Sequence, residues 1–147
     1  MVDMFSNCEF LTSVDLSNFN TTKVTDMTGL FYGCQKLTYL NISNFDTSKV
    51  ASMWLMFSDC SSLTSIDISS FDTSNVEYMS YMFNGCKSFK ELDIAHFNIE
   101  KVRKMFSMFK DCESLERFKT TFFQFPESTQ IAYMSRLNKA NLYFMMW

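Results

Sequence analysis

Five cysteines recur at intervals of 26 residues, and the chain has a single histidine, His96. Thiols of this kind could form disulfides, bind zinc, or act with an imidazole as a catalytic nucleophile. An odd number of cysteines leaves a disulfide framework incomplete, and the spacing is unlike that of paired C-x-x-C zinc ligands. A strict repeat instead places each thiol at the same depth, beside Phe and Met neighbours. We therefore expect buried free thiols at Cys8, Cys34, Cys60, Cys86 and Cys112.

Catalysis and metal binding find little support in the remaining polar residues. His96 occupies a turn position that asparagine or serine holds in other repeats, and it would meet a thiol only if Cys86 or Cys112 left the core. A calcium ion needs six to eight oxygen ligands, which residues stacked along one direction cannot easily wrap around it. We therefore predict a non-enzymatic protein with no catalytic residues, no cofactor and no metal site, even at the carboxylate and amide series Asp15, Asn41, Asp67 and Asp93.

Each 26-residue unit contains the pattern L-x-x-L-x-L-x-x-F, with phenylalanine where leucine-rich repeats usually have asparagine or cysteine. In the first unit the pattern runs from Leu11 to Phe19. Apolar and polar residues alternate within it, which predicts a short strand with one buried face. Parallel strands of successive units would lie about 4.8 Å apart. We therefore expect a buried, stacked column of rings from Phe19, Phe45, Phe71 and Phe97.

The segment after each strand has helical spacing. Apolar residues follow one another at intervals of three and four: Val24, Met27, Leu30, Phe31 and Cys34. Residues that could cap such helices precede these segments at Thr22, Ser48 and Ser74. The sequence therefore predicts an α/β repeat solenoid of the leucine-rich-repeat type. This would be a right-handed coil of 26-residue units, with short parallel strands on one face and short helices on the other.

The repeats divide the chain into an array and a tail. Residues 1–123 are predicted to form the array, with an incomplete first coil, four full repeats and a fading fifth. The fifth fades because Lys119 and Thr120 stand where aspartate and an apolar residue are expected. Residues 124–147 could form a helical cap, since helical spacing resumes after Ser128. The chain starts inside a repeat, so further repeats of the same protein could adjoin its N-terminal end.

Composition argues against nucleic acid and membranes as partners. The chain of 147 residues has a formal charge of -3 and is 47% apolar. Basic residues between Lys87 and Lys119 alternate with acidic ones, so no basic patch for nucleic acid is predicted. No stretch approaches the roughly 20 apolar residues of a membrane span. We also find no signal peptide at the start of the chain.

Two sequence blocks recur in order, M-F-x-x-C-x-x-L and F-D-T-S-x-V, most clearly from Met27 to Cys112. These blocks resemble the BspA-like leucine-rich repeats, which are also described as a mycoplasma repeat family of unknown function. The resemblance covers about Met4 to Phe123. It implies a cell-surface or secreted protein whose repeats bind a protein of a host, of the matrix or of another cell. The absence of a leader keeps a cytoplasmic location open.

The outward side of the predicted strands carries a ladder of small and acidic side chains, with one tyrosine. We interpret it as a candidate binding surface for a protein partner, with the tyrosine as its main aromatic contact. It consists of Ser13, Asp15, Ser17, Tyr39, Asn41, Ser43, Ser65, Asp67, Ser69, Glu91 and Asp93.

Two alternative functions stay open. One is an intracellular protein-interaction scaffold. The other is a regular surface that binds glycans or ice through threonine ladders, namely Thr12, Thr38 and Thr64 together with Thr47 and Thr73.

Overall fold

The computed structural model describes residues 1–120, and its regular elements are four three-residue strands. These are β1 (Ser13–Asp15), β2 (Tyr39–Asn41), β3 (Glu91–Asp93) and β4 (Arg117–Lys119). They form two parallel pairs, β1 with β2 and β3 with β4. Paired residues are 26 positions apart in both sheets, as in the pair Ser13–Tyr39. Successive repeats therefore lie side by side in register.

A second set of contacts joins the repeats along what we call the turn side. It comprises residues 1–8 and the equivalent residues 26–34, 52–60, 78–86 and 104–112. Single parallel bridges run from Asp26 to Ser52, then to Tyr78, then to Lys104. Between the bridges, backbone N–H groups donate to the next repeat, as from Phe31 to the Met56 carbonyl at 2.9 Å. The turn side is thus a hydrogen-bonded ladder across these repeats.

The segments predicted to be helical are consecutive turns. The N–H of Tyr32 donates to the carbonyl of Gly29 at 3.0 Å, whereas the next N–H, of Gly33, donates to Ser58 in the following repeat at 2.9 Å. A helix would instead direct every N–H to the carbonyl four residues earlier. Left-handed residues also interrupt each segment twice. They form two columns: Asp3, Gly29, Leu55, Tyr81 and Ser107, and Asn7, Gly33, Asp59, Gly85 and Asp111.

The predicted fold class is therefore wrong. Residues 1–120 contain no helix, and their four short strands form two small parallel pairs in place of the strand-and-helix coil of a leucine-rich repeat. The apolar spacing of three and four residues places side chains on the inward side of consecutive turns as well as on one face of a helix. The 26-residue register is observed, but the connecting structure differs from the prediction.

The core is a column of phenylalanine rings three residues before each cysteine. Neighbouring rings are nearly parallel, with centroids 5.4 to 5.8 Å apart and interplanar angles of 5° to 11°. Such offset pairs contribute about 0.5–1.5 kcal/mol each beyond area burial. The column consists of Phe5, Phe31, Phe57, Phe83 and Phe109.

The stacked column is not the one that the sequence suggested. Phe45, Phe71 and Phe97 are buried, but Phe19 is 39% exposed, so its placement in the core was wrong. Phe19 lies in the first repeat and has a neighbouring repeat on one side only within the described residues. The rings that stack are those three residues before the cysteines, where the hydrogen-bonded turns place equivalent residues of successive repeats next to one another.

Aspartate, asparagine and threonine side chains close the turn that follows each strand. The Asp46 carboxylate accepts hydrogen bonds from Ser48 N at 2.9 Å and from Ser48 Oγ at 2.6 Å. Ser48 therefore closes an Asx turn and caps no helix. Thr47 is buried, and its Oγ1 donates to the Asp72 carbonyl of the next repeat at 2.9 Å. Thr73 is also buried. Neither threonine can belong to an exposed ice- or glycan-binding array, which corrects that part of the prediction.

The fifth repeat continues the strand ladder. Although Lys119 departs from the repeat pattern, Arg117–Lys119 forms β4 and pairs with β3 in the same 26-residue register. Backbone pairing does not depend on which side chain points outward. The boundary predicted at residue 123 and the cap predicted for residues 124–147 lie outside the described residues.

Candidate protein-binding surface

The eleven residues chosen from the sequence lie along one surface, which we call the strand surface. In each strand the middle residue points inward and its two neighbours point outward, as the burial of Leu92 between exposed Glu91 and Asp93 shows. Nine of the eleven residues are exposed, and Ser17 and Asn41 are half-buried. Tyr39 is 55% exposed and is the large aromatic residue of this surface. The structure thus brings the eleven residues together.

The carboxylates of the strand surface are held by turns. Asp15 Oδ1 accepts from Ser17 N at 2.9 Å, and Asp67 Oδ1 accepts from Ser69 N at 3.0 Å and Ser69 Oγ at 2.7 Å. Asp93 Oδ1 accepts from the backbone N–H of Ala95 at 3.1 Å. In all three residues the turn engages Oδ1, and Oδ2 of Asp93 accepts from Lys119 Nζ at 3.2 Å.

These hydrogen bonds also keep the carboxylates ionised. The backbone N–H of Ser17 lowers the pKa of Asp15, the hydroxyl of Ser69 lowers that of Asp67, and the backbone N–H of Ala95 lowers that of Asp93. A hydrogen bond to the charged form favours that form. The strand surface therefore presents oriented negative charges at neutral pH.

The strand ladder is interrupted at the third repeat. β2 pairs with β1 and β3 pairs with β4, whereas Ser65–Asp67 lies between them and forms no strand in the described structure. A backbone bond from Lys90 N to Thr64 O at 3.0 Å still joins the third repeat to the fourth. Ile66 is only half-buried, although its equivalents Leu40 and Leu92 are buried. The surface therefore opens at this repeat.

A groove of about 530 Å³ lies at the opening and spans the third to fifth repeats. Ile66 and Leu92 supply its apolar part. Its polar part consists of Ser65, Asp67, Glu91, Asp93, Arg117 and Lys119. An apolar recess ringed by a few charged groups can seat one side chain of a partner and fix its orientation.

Arg117 and Lys119 belong to this surface and were missed in the sequence. Arg117 Nη2 lies 2.7 Å from Glu91 Oε2, and Lys119 Nζ lies 3.2 Å from Asp93 Oδ2. All four side chains are more than half exposed, so these pairs can exchange partners at small cost. The sequence did contain a signal for these two ion pairs, since each basic residue lies 26 residues after the acidic residue with which it pairs.

Four of the five thiols are buried donors, whereas the burial predicted for Cys8 is wrong, because the first coil lies at the edge of the described repeats. Cys34, Cys60, Cys86 and Cys112 are buried and Cys8 is half-buried, and all five are free. Each buried Sγ donates to the carbonyl of a core phenylalanine in the preceding repeat, as from Cys60 to Phe31 at 3.2 Å. Burial raises the pKa of Cys34 to about 11 and of Cys112 to about 12, and it raises those of Cys60 and Cys86 as well. These four thiols stay protonated at neutral pH and are poor nucleophiles.

His96 is an exposed turn residue. Its Nε2 is 3.1 Å from the carbonyl of Ile68, and its ring meets the Phe97 ring edge-on at 5.0 Å. The contact with Ile68 joins the fourth repeat to the third. Within residues 1–120, no helix is long and apolar enough to cross a membrane.

Fold and surface together define a repeat protein of 26-residue units that presents a polar, grooved strand surface. The model of a family described as "Mycoplasma protein of unknown function, DUF285" matches residues 1–122, and the chain belongs to this family. The match to a mycoplasma repeat family agrees with the coarser part of the resemblance, whereas the BspA-like assignment is not confirmed. Searches of curated proteins and of solved structures found no match.

Proposed function

We propose that this chain is a non-catalytic protein-binding repeat module, and that the strand surface is where its partner binds. The observation that carries the proposal is the groove at the third repeat, where strand pairing is interrupted and apolar side chains are surrounded by oriented charges. Interfaces of proteins combine an apolar centre with a polar rim in this way. Tyr39 supplies a further anchor, because an exposed tyrosine offers apolar area and a hydroxyl together.

The charges of the groove favour a partner with a basic side chain. Glu91 and Asp93 are neutralised by Arg117 and Lys119, whereas no cation within residues 1–120 lies within 4.0 Å of Asp67. Asp67 also directly follows the half-buried Ile66 in the chain. A lysine or arginine of the partner could therefore bind Asp67 while its aliphatic stem covers the apolar part of the groove.

The experiment is a binding screen with matched variants. Purified protein is applied to an array of extracellular host and matrix proteins, and hits are measured by biolayer interferometry. Asp67→Asn removes the charge but keeps the turn, because Asn41 closes the same turn with Ser43 in the second repeat. We expect this variant to weaken binding at least five-fold, about 1 kcal/mol.

Asp46→Asn is the matched control. Asp46 makes the same Asx turn with Ser48, and asparagine already occupies this position at Asn20 and Asn98. It lies outside the strand surface, so its substitution should leave affinity within two-fold. Equal losses for both variants, or no binding to any protein on the array, would contradict the proposal.

For the location of the protein we propose the cell surface, as the sequence resemblance implies, with a role in adhesion to a host or to another cell. Protease treatment of intact source cells, followed by mass spectrometry of the released peptides, tests this. Release of peptides from residues 1–120 would support a surface protein. Peptides obtained only after lysis would instead support an intracellular interaction scaffold with the same binding surface.

A further inference from the structure

The turn side carries a group of exposed aromatic residues that the proposed function does not use. Trp54 is 46% exposed, Tyr81 36% and Phe106 48%. The equivalents of the tryptophan and the phenylalanine in other repeats are Val2, Thr28 and Ser80. Large aromatic side chains therefore appear at positions where the fold itself requires none.

Backbone contacts bring these three residues together. The bridges from Ser52 to Tyr78 and to Lys104 set the register of the second, third and fourth repeats. Two residues further along each repeat, Trp54 and Phe106 flank Ser80 in the same column. The N–H of Tyr81 donates to the Phe106 carbonyl at 2.9 Å. The backbone thus places three exposed aromatic residues on neighbouring repeats of the turn side, with Trp54 and Phe106 about 10 Å apart along the stack.

The segment that carries Phe106 is rich in basic residues. The segment 100–110 has four basic residues and one acidic residue, in a chain whose formal charge is -3. Two of the four bases are paired, Arg103 with Glu77 at 3.4 Å and Lys110 with Asp111 at 4.0 Å. Lys101 Nζ donates to the neutral amide of Asn75 at 2.6 Å, and Lys104 Nζ lies 6.0 Å from the centre of the Tyr78 ring. Within residues 1–120 neither Lys101 nor Lys104 forms an ion pair shorter than 4.0 Å, although the charge of Lys101 helps to lower the pKa of Asp72.

We infer that Trp54, Tyr81 and Phe106, with Lys101 and Lys104, form a second contact surface, which binds an acidic protein segment carrying an apolar side chain. The apolar side chain lies on the exposed rings, and its neighbouring carboxylates pair with the two lysines. Tryptophan and tyrosine dominate the energy of many interfaces, and complementary charge selects the partner. This surface is separate from the strand surface, whose charges favour a basic partner.

The test is to pan a displayed library of random dodecapeptides against the purified protein and to synthesise the enriched peptides. We expect enrichment of peptides with an aromatic or aliphatic residue flanked by aspartate or glutamate. Trp54→Ala, Phe106→Ala and Lys104→Glu should each weaken the binding of such peptides at least ten-fold. The fluorescence of Trp54, recorded in a Trp147→Phe background, should change on binding.

The matched control uses an aromatic–lysine pair elsewhere on the molecule. Phe10 is 79% exposed, and Lys36 Nζ lies 4.8 Å from its ring centre. Phe10→Ala and Lys36→Glu should leave peptide binding within two-fold. Equal losses for these variants would show that any exposed ring suffices, and would overturn the inference.

Further outcomes separate this inference from the proposed function. Enrichment of basic peptides whose binding is lost in Asp67→Asn would support the strand surface and overturn the second surface. Binding of vesicles of anionic phospholipid in preference to every enriched peptide would also overturn it, because the patch would then be a membrane contact. If the strand-surface variants do not change the binding of a host protein, the proposed function is wrong. Enriched acidic peptides that bind through Trp54 and Phe106 would still support the second contact surface.

Discussion

The turn side and the strand surface join the same repeats with different regularity. On the turn side the bridges from Asp26 to Lys104 and the ring column from Phe5 to Phe109 continue without a gap through the described repeats. On the strand surface the ladder breaks at Ser65–Asp67, and a groove lies there. We infer that the two sides have different roles. The turn side holds the repeats in register, so the strand surface can lack strand pairing at one repeat and still keep its residues in place for binding.

The largest effect should come from removing a ring of the column. Phe57 is fully buried between Phe31 and Phe83, with ring centroids 5.8 and 5.5 Å away. Phe57→Ala should lower the free energy of unfolding by about 3–5 kcal/mol, because it removes a buried side chain and leaves a cavity. Urea unfolding followed by circular dichroism measures this.

The substitution to compare with Phe57→Ala is Ile66→Ala, which lies on the strand surface at the repeat where strand pairing is interrupted. Ile66 is only half-buried, so its loss should cost about 1–2 kcal/mol, below the usual range for a fully buried isoleucine. If this variant is destabilised as much as Phe57→Ala, the division between a rigid turn side and a tolerant strand surface is wrong.

A smaller effect concerns the two left-handed columns of the turn side. Gly85 has a φ of +70°, and an added Cβ would collide with Asp59 Oδ1. Gly85→Ala should therefore cost at least about 1–2 kcal/mol. The opposite change, Leu55→Gly, places a permissive residue at a φ of 58° and should gain up to about 1 kcal/mol, less the contacts of the leucine side chain.

Thermal unfolding of both variants would show whether the strain lies where the backbone indicates. A Gly85→Ala variant more stable than the wild type would contradict the claim that the left-handed backbone at Gly85 disfavours a side chain. A Leu55→Gly variant less stable than the wild type by more than 2 kcal/mol would mean that the side chain of Leu55 matters more than its backbone conformation.

Register and burial could be predicted from the sequence. The 26-residue interval places Met27, Phe31 and Cys34 in the core, and all three are fully buried. The choice between helix and turn could not be made from apolar spacing, because both conformations place the same residues inward. A signal against helix was present in one column, where every residue is glycine, asparagine or aspartate. The other column, with Leu55 and Tyr81, gives no such signal.

The residues of the strand surface could be predicted from the sequence, whereas the groove between them could not. Alternation indicated which side chains point outward, and adding 26 to Glu91 and Asp93 would have found Arg117 and Lys119. The interruption at Ser65–Asp67 has no counterpart in the side-chain pattern, since Ser65-Ile66-Asp67 alternates like Tyr39-Leu40-Asn41. Strand pairing is made by backbone groups, so a lost pair leaves the alternation of residue types unchanged.

Alkaline pH should weaken the turn side. The buried thiol of Cys34 keeps its proton up to about pH 11, whereas an unfolded cysteine titrates near pH 8.5. Above about pH 8.5 the unfolded state thus binds fewer protons than the native state, and stability falls as pH rises. Urea midpoints between pH 7.5 and 9.5 should decrease, with a shallower slope in Cys112→Ala. An unchanged slope would exclude the thiols as the cause.

Acid should act on the strand surface instead, and with the smallest effect, because its carboxylates are exposed. Hydrogen bonds lower the pKa values of Asp15, Asp67 and Asp93 below the value of about 3.9 for an unfolded aspartate. Their contribution is therefore complete above about pH 4 and is lost as pH falls through the lower native values.

Carbon-detected NMR titration of the side-chain carboxyls measures these values directly, and Asp67→Asn should flatten the acid limb of the stability curve slightly. A native pKa for Asp67 at or above 3.9 would mean that its turn is open in solution and its carboxylate unoriented. If instead the strand-surface signals titrate in acid while the ring-column signals shift only in alkali, the two sides respond to pH independently. Binding through the strand surface could then be adjusted without loosening the column that holds the repeats together.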